Sequence, residues 1–351
     1  MQPTRCVWIG LAALAIASRT APAHADAPRL FDGHELIEIA IEADWDPIRR
    51  DDTPEPAQHP ATLSYVGPNG DVRIPVKIAA SGRSRRTQDI CELPPLRLDL
   101  PKQERKGTLF RGIGEFKLVT HCRNQSKYEQ YLLLEYLVYR SYGLITDQSH
   151  RVRLLRVSYR EPGRAKPRWQ RHGFAIEDAE DLAERVGAER VAESEIERAR
   201  LDPAAASRAE LFFYMIGMTD FSLVKRQGGP CCHNARALRG ADGSVVPVPY
   251  DFDQTGVVNA EYAAPDARLG IRSVTQRKFR GQCRPPEATA ATLTALREQR
   301  AAIRALFESP AGLPRARARR ALAYLDGFYE WADDAERVAK TLAADCAEAA
   351  R

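Results

Sequence analysis

Three short strings, Gly217-Met-Thr-Asp220, Cys231-Cys-His-Asn234 and Pro249-Tyr-Asp-Phe-Asp253, share one stretch of a 351-residue chain, Gly217 to Val258. Ahead of the first string, Ser207 and Glu210 form a capping-box pair, and the apolar run from Leu211 to Met218 follows. The pattern predicts a helix over 207–218 that enters the core and delivers Asp220 at its C-terminal end. Asn234 to Leu238 and Val245 to Val248 read as two strands joined by the turn signal Ala241-Asp-Gly-Ser244. Pro247 cannot donate to a ladder, so the second strand belongs at a sheet edge.

The hairpin ends on a pair of acids. On an extended segment Asp251 and Asp253 share a side while Phe252 turns into apolar packing. Two carboxylates converging with the amide oxygen of Asn234 supply hard oxygen ligands for Mg²⁺ or Mn²⁺. Asp220 is then available to orient a hydroxyl or take its proton, the division of labour of kinase-type phosphoryl transfer. The plainer alternative is that Asp-Phe-Asp caps a turn before Gly256.

The order Asp220, Asn234, Asp251-Phe-Asp253 resembles the active site of the spore-coat CotH-type atypical kinases, whose pattern is Asp, then Asn, then Trp-Asp-Leu-Asp. The likeness extends upstream to Gly82-Arg-Ser-Arg-Arg86. Exported bacterial proteins without an assigned function carry the Cys-Cys-His-Asn and Pro-Tyr-Asp-Phe-Asp strings themselves. The chain departs from the kinase pattern in its long loop between Asp220 and Asn234, and in Met218, where that family often has Asn. The resemblance implies an α+β, two-lobed kinase-like fold. A β-rich lobe over 26–160 precedes a mainly helical lobe over 161–351, which carries the hairpin of 217–258. It also implies ATP as ligand and an acceptor that is a protein or a glycan.

The first half suits a β-rich lobe. Glu35–Ala43, Ala61–Val66, Val72–Ile78, Leu96–Leu100 and Phe116–Val119 alternate or flank Pro68-Asn-Gly70, predicting an antiparallel sheet of about five strands. Gly112-Ile-Gly114 precedes Lys117, which is out of phase with Phe116 and Leu118 and so free to face a cleft and meet phosphate. Arg97 competes for that role. Ser126 and Glu129 predict a capped helix over 126–142, within which Glu135 needs a cationic partner, Lys117 or an arginine. Val152–Tyr159 and His172–Glu177 read as a hairpin, and by analogy with kinases the backbone of Ile176 to Asp178 would meet adenine. From Glu287 the chain predicts helices over 292–307, 314–331 and 333–347.

Arg5, the apolar run Val7–Ala17 and Ala23-His-Ala25 form a signal-peptide pattern cleaved after residue 25, giving a periplasmic or secreted protein with no membrane span in the mature part. Removing Arg5 and Arg19 with the leader takes the formal charge from +5 to +3, a near balance that argues against nucleic acid as partner. Six cysteines remain, an even number that favours disulfides in an oxidising compartment. The expected pairs are Cys91 with Cys122, and Cys283 with Cys231 or Cys232. A zinc site on Cys231, Cys232, His233 and Cys283 is the competing use of those side chains. Two other functions stay open: a kinase-like binding protein without turnover, and a metal-dependent hydrolase using Asp251, Asp253 and His233.

Overall fold

The computed structural model describes residues 28–191, 196–224, 232–265, 267–308 and 310–349. The expected leader, Cys231 and the side chain of Cys346 lie outside the described residues. The chain is a mixed α+β protein. Its strands are β1 (Ile37–Glu42), β2 (His59–Gly67), β3 (Gly70–Ala80), β4 (Leu96–Asp99), β5 (Glu115–Val119), β6 (Val152–Arg160), β7 (Trp169–Glu177), β8 (Glu189–Arg190), β9 (Ala235–Arg239) and β10 (Val245–Pro249). Its helices are α1 (Trp45–Arg49), α2 (Ser126–Gly143), α3 (Ala179–Arg185), α4 (Pro203–Ile216), α5 (Pro286–Glu298), α6 (Arg300–Glu308), α7 (Arg315–Ala332) and α8 (Ala335–Ala349).

The antiparallel sheet of about five strands is in fact a closed barrel of seven, ordered β1-β2-β3-β4-β5-β7-β6. Closure comes from a parallel β1–β6 pair, Ile37 to Glu42 lying against Leu155 to Arg160. Strand alternation explains how the barrel fills. Ile39, Ile41, Leu63, Ile74, Val76, Ile78, Phe116 and Leu118 are buried in one apolar cluster, because period-2 alternation sends their side chains to the same face. The β6–β7 hairpin expected from the Pro-Gly loop supplies the last two staves, so the barrel runs on past residue 160 to Glu177.

A second core joins α2 to the C-terminal half. Tyr139, Phe212, Phe213 and Phe252 meet there, the Phe252 ring lying 4.5 Å from that of Tyr139 and 5.8 Å from that of Phe212. Full burial of such a ring is worth about 1.5–3 kcal/mol. The expected hairpin β9–β10 forms, with Val246 opposite Leu238. With β8 it forms a three-stranded sheet in which β10, bearing Pro247, is an edge as anticipated.

Several local expectations change. Helix α4 starts at Pro203, capped by the Asp202 carboxylate on the Ala205 N–H at 2.6 Å, and not at Ser207. Pro at the first turn loses no hydrogen bond, which makes the earlier start favourable. The helix ends at Gly217 in the left-handed conformation (φ 70°), and a Cβ there would collide with the Tyr324 hydroxyl. The single helix expected over 292–307 is two, α5 and α6, separated at Gln299. Helix α2 has Gln125 at its N-cap with no side-chain cap bond. Glu129 is drawn elsewhere: it accepts the His172 N–H at 2.7 Å and faces the His172 Nδ1 at 2.8 Å.

Cys91 and Cys122 form the expected disulfide, 31 residues apart in sequence. Cys232 and Cys283 are each disulfide-bonded as well, which removes them as zinc thiolates. Among the described residues no helix is long and apolar enough to cross a membrane.

Two outcomes follow from these contacts. Opening the Cys91–Cys122 loop by Cys91→Ala/Cys122→Ala should cost roughly 3–4 kcal/mol in equilibrium urea unfolding, the chain-entropy value for a loop of that size. Burial would raise the Glu129 carboxyl, but the His172 bonds outweigh it and bring it down to about 2. That stabilisation is complete above the ordinary carboxyl value of 4.5 and fades as pH falls towards about 2. Glu129→Gln should therefore be less stable than wild type at neutral pH, with the gap closing on acidification over that window.

Candidate functional site

Lys117 sits on β5 between two residues that fill the barrel, so alternation turns it outward toward the second core. Glu135 is on α2, whose length carries it alongside β7. Asp251 and Asp253 follow β10. What unites them is a residue that the sequence reading did not assign to the site, Arg85, on a short 3₁₀ turn (Ser84–Arg86) after β3.

Arg85 is 5% exposed and spreads its guanidinium over three carboxylates. Its Nη1 is 3.2 Å from Glu135 Oε2, its Nη2 2.8 Å from Asp251 Oδ1 and its Nε 3.3 Å from Asp253 Oδ2. Lys117 Nζ reaches the same Asp251 oxygen at 3.2 Å. Glu135 thus has its cationic partner, an arginine and not Lys117. Asp251 takes a left-handed backbone (φ 60°) in place of the extended conformation expected, its N–H donating to the Tyr139 hydroxyl at 2.8 Å. Even so, both aspartates converge on Arg85 while Phe252 is wholly buried.

Three carboxylates face two cations, Arg85 and Lys117. Burial works against the charge on Arg85, but Asp253, Glu135 and Asp251 outweigh it and hold the guanidinium protonated. Asp251 goes the same way: despite burial, Lys117 and Arg85 hold it below the usual carboxylate range. Glu135 and Asp253 are lifted instead, by burial and by the neighbouring acids, against the pull of Arg85.

Asp220 and Asn234 flank the mouth of the long loop. A two-residue bridge, Ser222 N–H to His233 O at 3.0 Å and His233 N–H to Ser222 O at 3.1 Å, sets them side by side. Asn234 Nδ2 donates to the Asp220 carbonyl at 2.6 Å, and the Asn234 carbonyl accepts the Tyr250 N–H at 3.0 Å. The Asp220 carboxylate meets His233 Nε2 at 2.9 Å. That hydrogen bond raises the His233 pKa, against burial and the nearby Arg83 charge.

Arg97 stands directly opposite Lys117 in the β4–β5 register but is half exposed and pairs with Glu115 at 3.4 Å, outside the cluster. It lines a cleft of about 260 Å³ together with Lys117, His150, Ile176, Arg236 and Tyr250. Lys117 and Arg236 lie 4.8 and 4.3 Å from the centre of the Tyr250 ring, a cation–π pair on one ring. The backbone stretch from Ile176 to Asp178 is in the same wall.

The donor set of Asp251, Asp253 and Asn234 fits a hard divalent cation in chemistry, two carboxylates and one carboxamide. Among the described residues no cluster of three or more His, Cys, Asp or Glu side chains has metal-holding geometry, so Asn234 would have to complete the set. Arg85, Tyr139, Arg236 and Tyr262, the last hydrogen-bonded to Asp253, belong to the site without a motif in the sequence that marks them for it. A signal for Arg85 existed, because buried acids require a counter-charge and the run Arg83-Ser-Arg-Arg86 offers one.

No known family model matches the chain, and no curated protein is similar to it.

Arg85→Met would leave Glu135 and Asp253 buried without their cation, at an expected cost of about 3–5 kcal/mol in urea unfolding. Adding Glu135→Gln to that variant should recover part of the loss, because an unpaired buried charge is then removed. Strict additivity of the two changes would contradict the coupling.

Proposed function

We propose that this chain is an exported atypical-kinase-like protein that binds ATP with Mg²⁺ or Mn²⁺ and transfers its γ-phosphoryl group to a hydroxyl of a protein or glycan. The barrel with α1 and α2 would serve as the β-rich lobe, and α3–α8 with β8–β10 as the second lobe. The observation that carries the proposal is the contact of Lys117 on Asp251, made across 134 residues at the edge of a polar cleft. A strand lysine and an Asp just after a hairpin, with an Asp and an Asn earlier in the chain, are parts that phosphoryl transfer uses, though here the helix glutamate Glu135 pairs with Arg85 in place of the lysine.

The roles follow from the contacts. Asp251, Asp253 and Asn234 would hold the metal, which supplies charge neutralisation at the phosphates. Lys117 would meet phosphate as a point charge, with Arg236 across the Tyr250 ring as a second cation. Asp220, steadied by His233, would accept the proton of the acceptor hydroxyl as its oxygen attacks the γ-phosphorus. The bond from that phosphorus to the β–γ bridging oxygen breaks, and ADP leaves. Catalysis would rest on positioning and charge, as expected where the protein does little covalent chemistry. Export agrees with the Cys91–Cys122 disulfide.

A second function, nucleotide or metal binding without turnover, draws on one observation: Asp251 is already neutralised by both Arg85 and Lys117. Thermal unfolding of the oxidised mature protein separates the cases. Mn²⁺ with ATP should raise the melting temperature more than either alone, by the linkage of native-state binding to stability. Asp251→Asn, compared with its own ligand-free melting point, should lose that increment. A shift with metal alone would favour the hydrolase, and no shift with any ligand would remove the nucleotide site. Given a shift, labelled-phosphate transfer to a protein or glycan extract distinguishes turnover from binding alone.

A further inference from the structure

Asp220 stands in a backbone that is held from both sides. Its own carbonyl accepts from Asn234 Nδ2 at 2.6 Å. The carbonyls of its two neighbours, Thr219 and Phe221, both turn to a single nitrogen, Nη1 of Arg280, which lies 3.0 Å from the Phe221 oxygen. Three consecutive carbonyls are thus engaged, and turning either peptide plane of Asp220 would break one of these bonds. What the clamp leaves to Asp220 is its carboxylate, half-exposed and aimed at His233.

Arg280 lies far beyond Asp220 in the chain, in the segment that leads into α5, and that segment is itself anchored. Arg277 donates to the carbonyls of Tyr214 and Met215 at 3.2 Å each, on the last turn of α4. Arg284 forks onto the buried Glu210 at 2.7 and 3.1 Å. Cys283 is disulfide-bonded. The Arg280 guanidinium carbon is 5.2 Å from the centre of the Phe221 ring, which stacks on Phe213 of α4 at 4.3 Å. A planar cation laid against an aromatic face, on a backbone tied at either end, loses little further freedom when it bonds. We propose that Arg280 is the positioning residue of the proton acceptor: by gripping the carbonyls on either side of Asp220 it fixes where that carboxylate meets the acceptor hydroxyl. This rests on the phosphoryl-transfer function proposed above and adds to it a residue that acts through Asp220. Its effect belongs to the transfer step, because misplacing a catalytic group by about 1 Å slows a reaction roughly a hundred-fold.

Initial rates of labelled-phosphate transfer from saturating Mn²⁺–ATP to a fixed amount of protein or glycan extract are compared in wild type, Arg280→Met, Asp220→Asn and the double variant, with ATP affinity measured alongside. Arg280→Met keeps the length of the side chain without its donors. It should slow transfer roughly ten- to hundred-fold while ATP affinity stays within about two-fold. In the Asp220→Asn background the same change should slow what remains by less than about two-fold, since nothing is left to position. Arg280→Lys, which retains a donor, should recover part of the loss. Wild-type rates in Arg280→Met, or equal losses with and without Asp220, overturn the assignment of Arg280 and leave the transfer function standing. So does a parallel loss of ATP affinity, the mark of general loosening. Wild type that transfers no phosphate overturns both. With the residual rate of Asp220→Asn too low to compare, the split between rate and affinity decides. Should Arg280→Met fail to fold, Arg280→Lys is judged by the same criteria.

Discussion

One guanidinium sets the terms for the centre of this molecule. Arg85 holds Glu135, Asp251 and Asp253 together in a place where water contributes little, and each of the four is costly there without the others. The arginine comes from a turn after the third strand, the glutamate from a helix and the aspartates from beyond the hairpin. The ion cluster therefore joins the barrel to the second core through charge as well as apolar packing.

The site stands where two periodicities meet. Phe116 and Leu118 commit β5 to the barrel interior, which forces Lys117 outward. Phe252 commits the segment after β10 to the second core, which forces its flanking aspartates toward Lys117 and Arg85. Apolar side chains thus aim the polar ones. The positive φ values at Asn234 and Asp251 are part of the same constraint: short polar side chains tolerate that conformation better than other non-glycine residues do.

Much of this was legible in the chain. Alternation located the strands and the turn signal at Asp242-Gly243 located the hairpin; Asp251 and Asp253 do converge, though on a left-handed backbone at Asp251 and not on the extended segment expected. Lys117, Glu135, Asp251 and Asp253 do meet, and Asp220 and Asn234 stand together. Barrel closure was not legible, because a parallel pair between β1 and β6 leaves no turn between them to read. Arg85 was hidden for a different reason: a run of arginines looks like solvated surface until the acids that surround one of them are located. Glu129 was misread as a cap, since a local pattern cannot anticipate a histidine arriving from β7.

The parallel seam between β1 and β6 also imposes an order of events. More than a hundred residues must be made after β1 before its partner exists. Until then one side of β1 is a bare strand edge, open to any other extended chain that passes. A barrel with so remote a closing contact assembles slowly, and for a polypeptide that emerges end-first the vulnerable species is the half-made barrel. The two glutamates of β1, Glu38 and Glu42, place negative charge beside that waiting edge, where repulsion between copies discourages the wrong pairing.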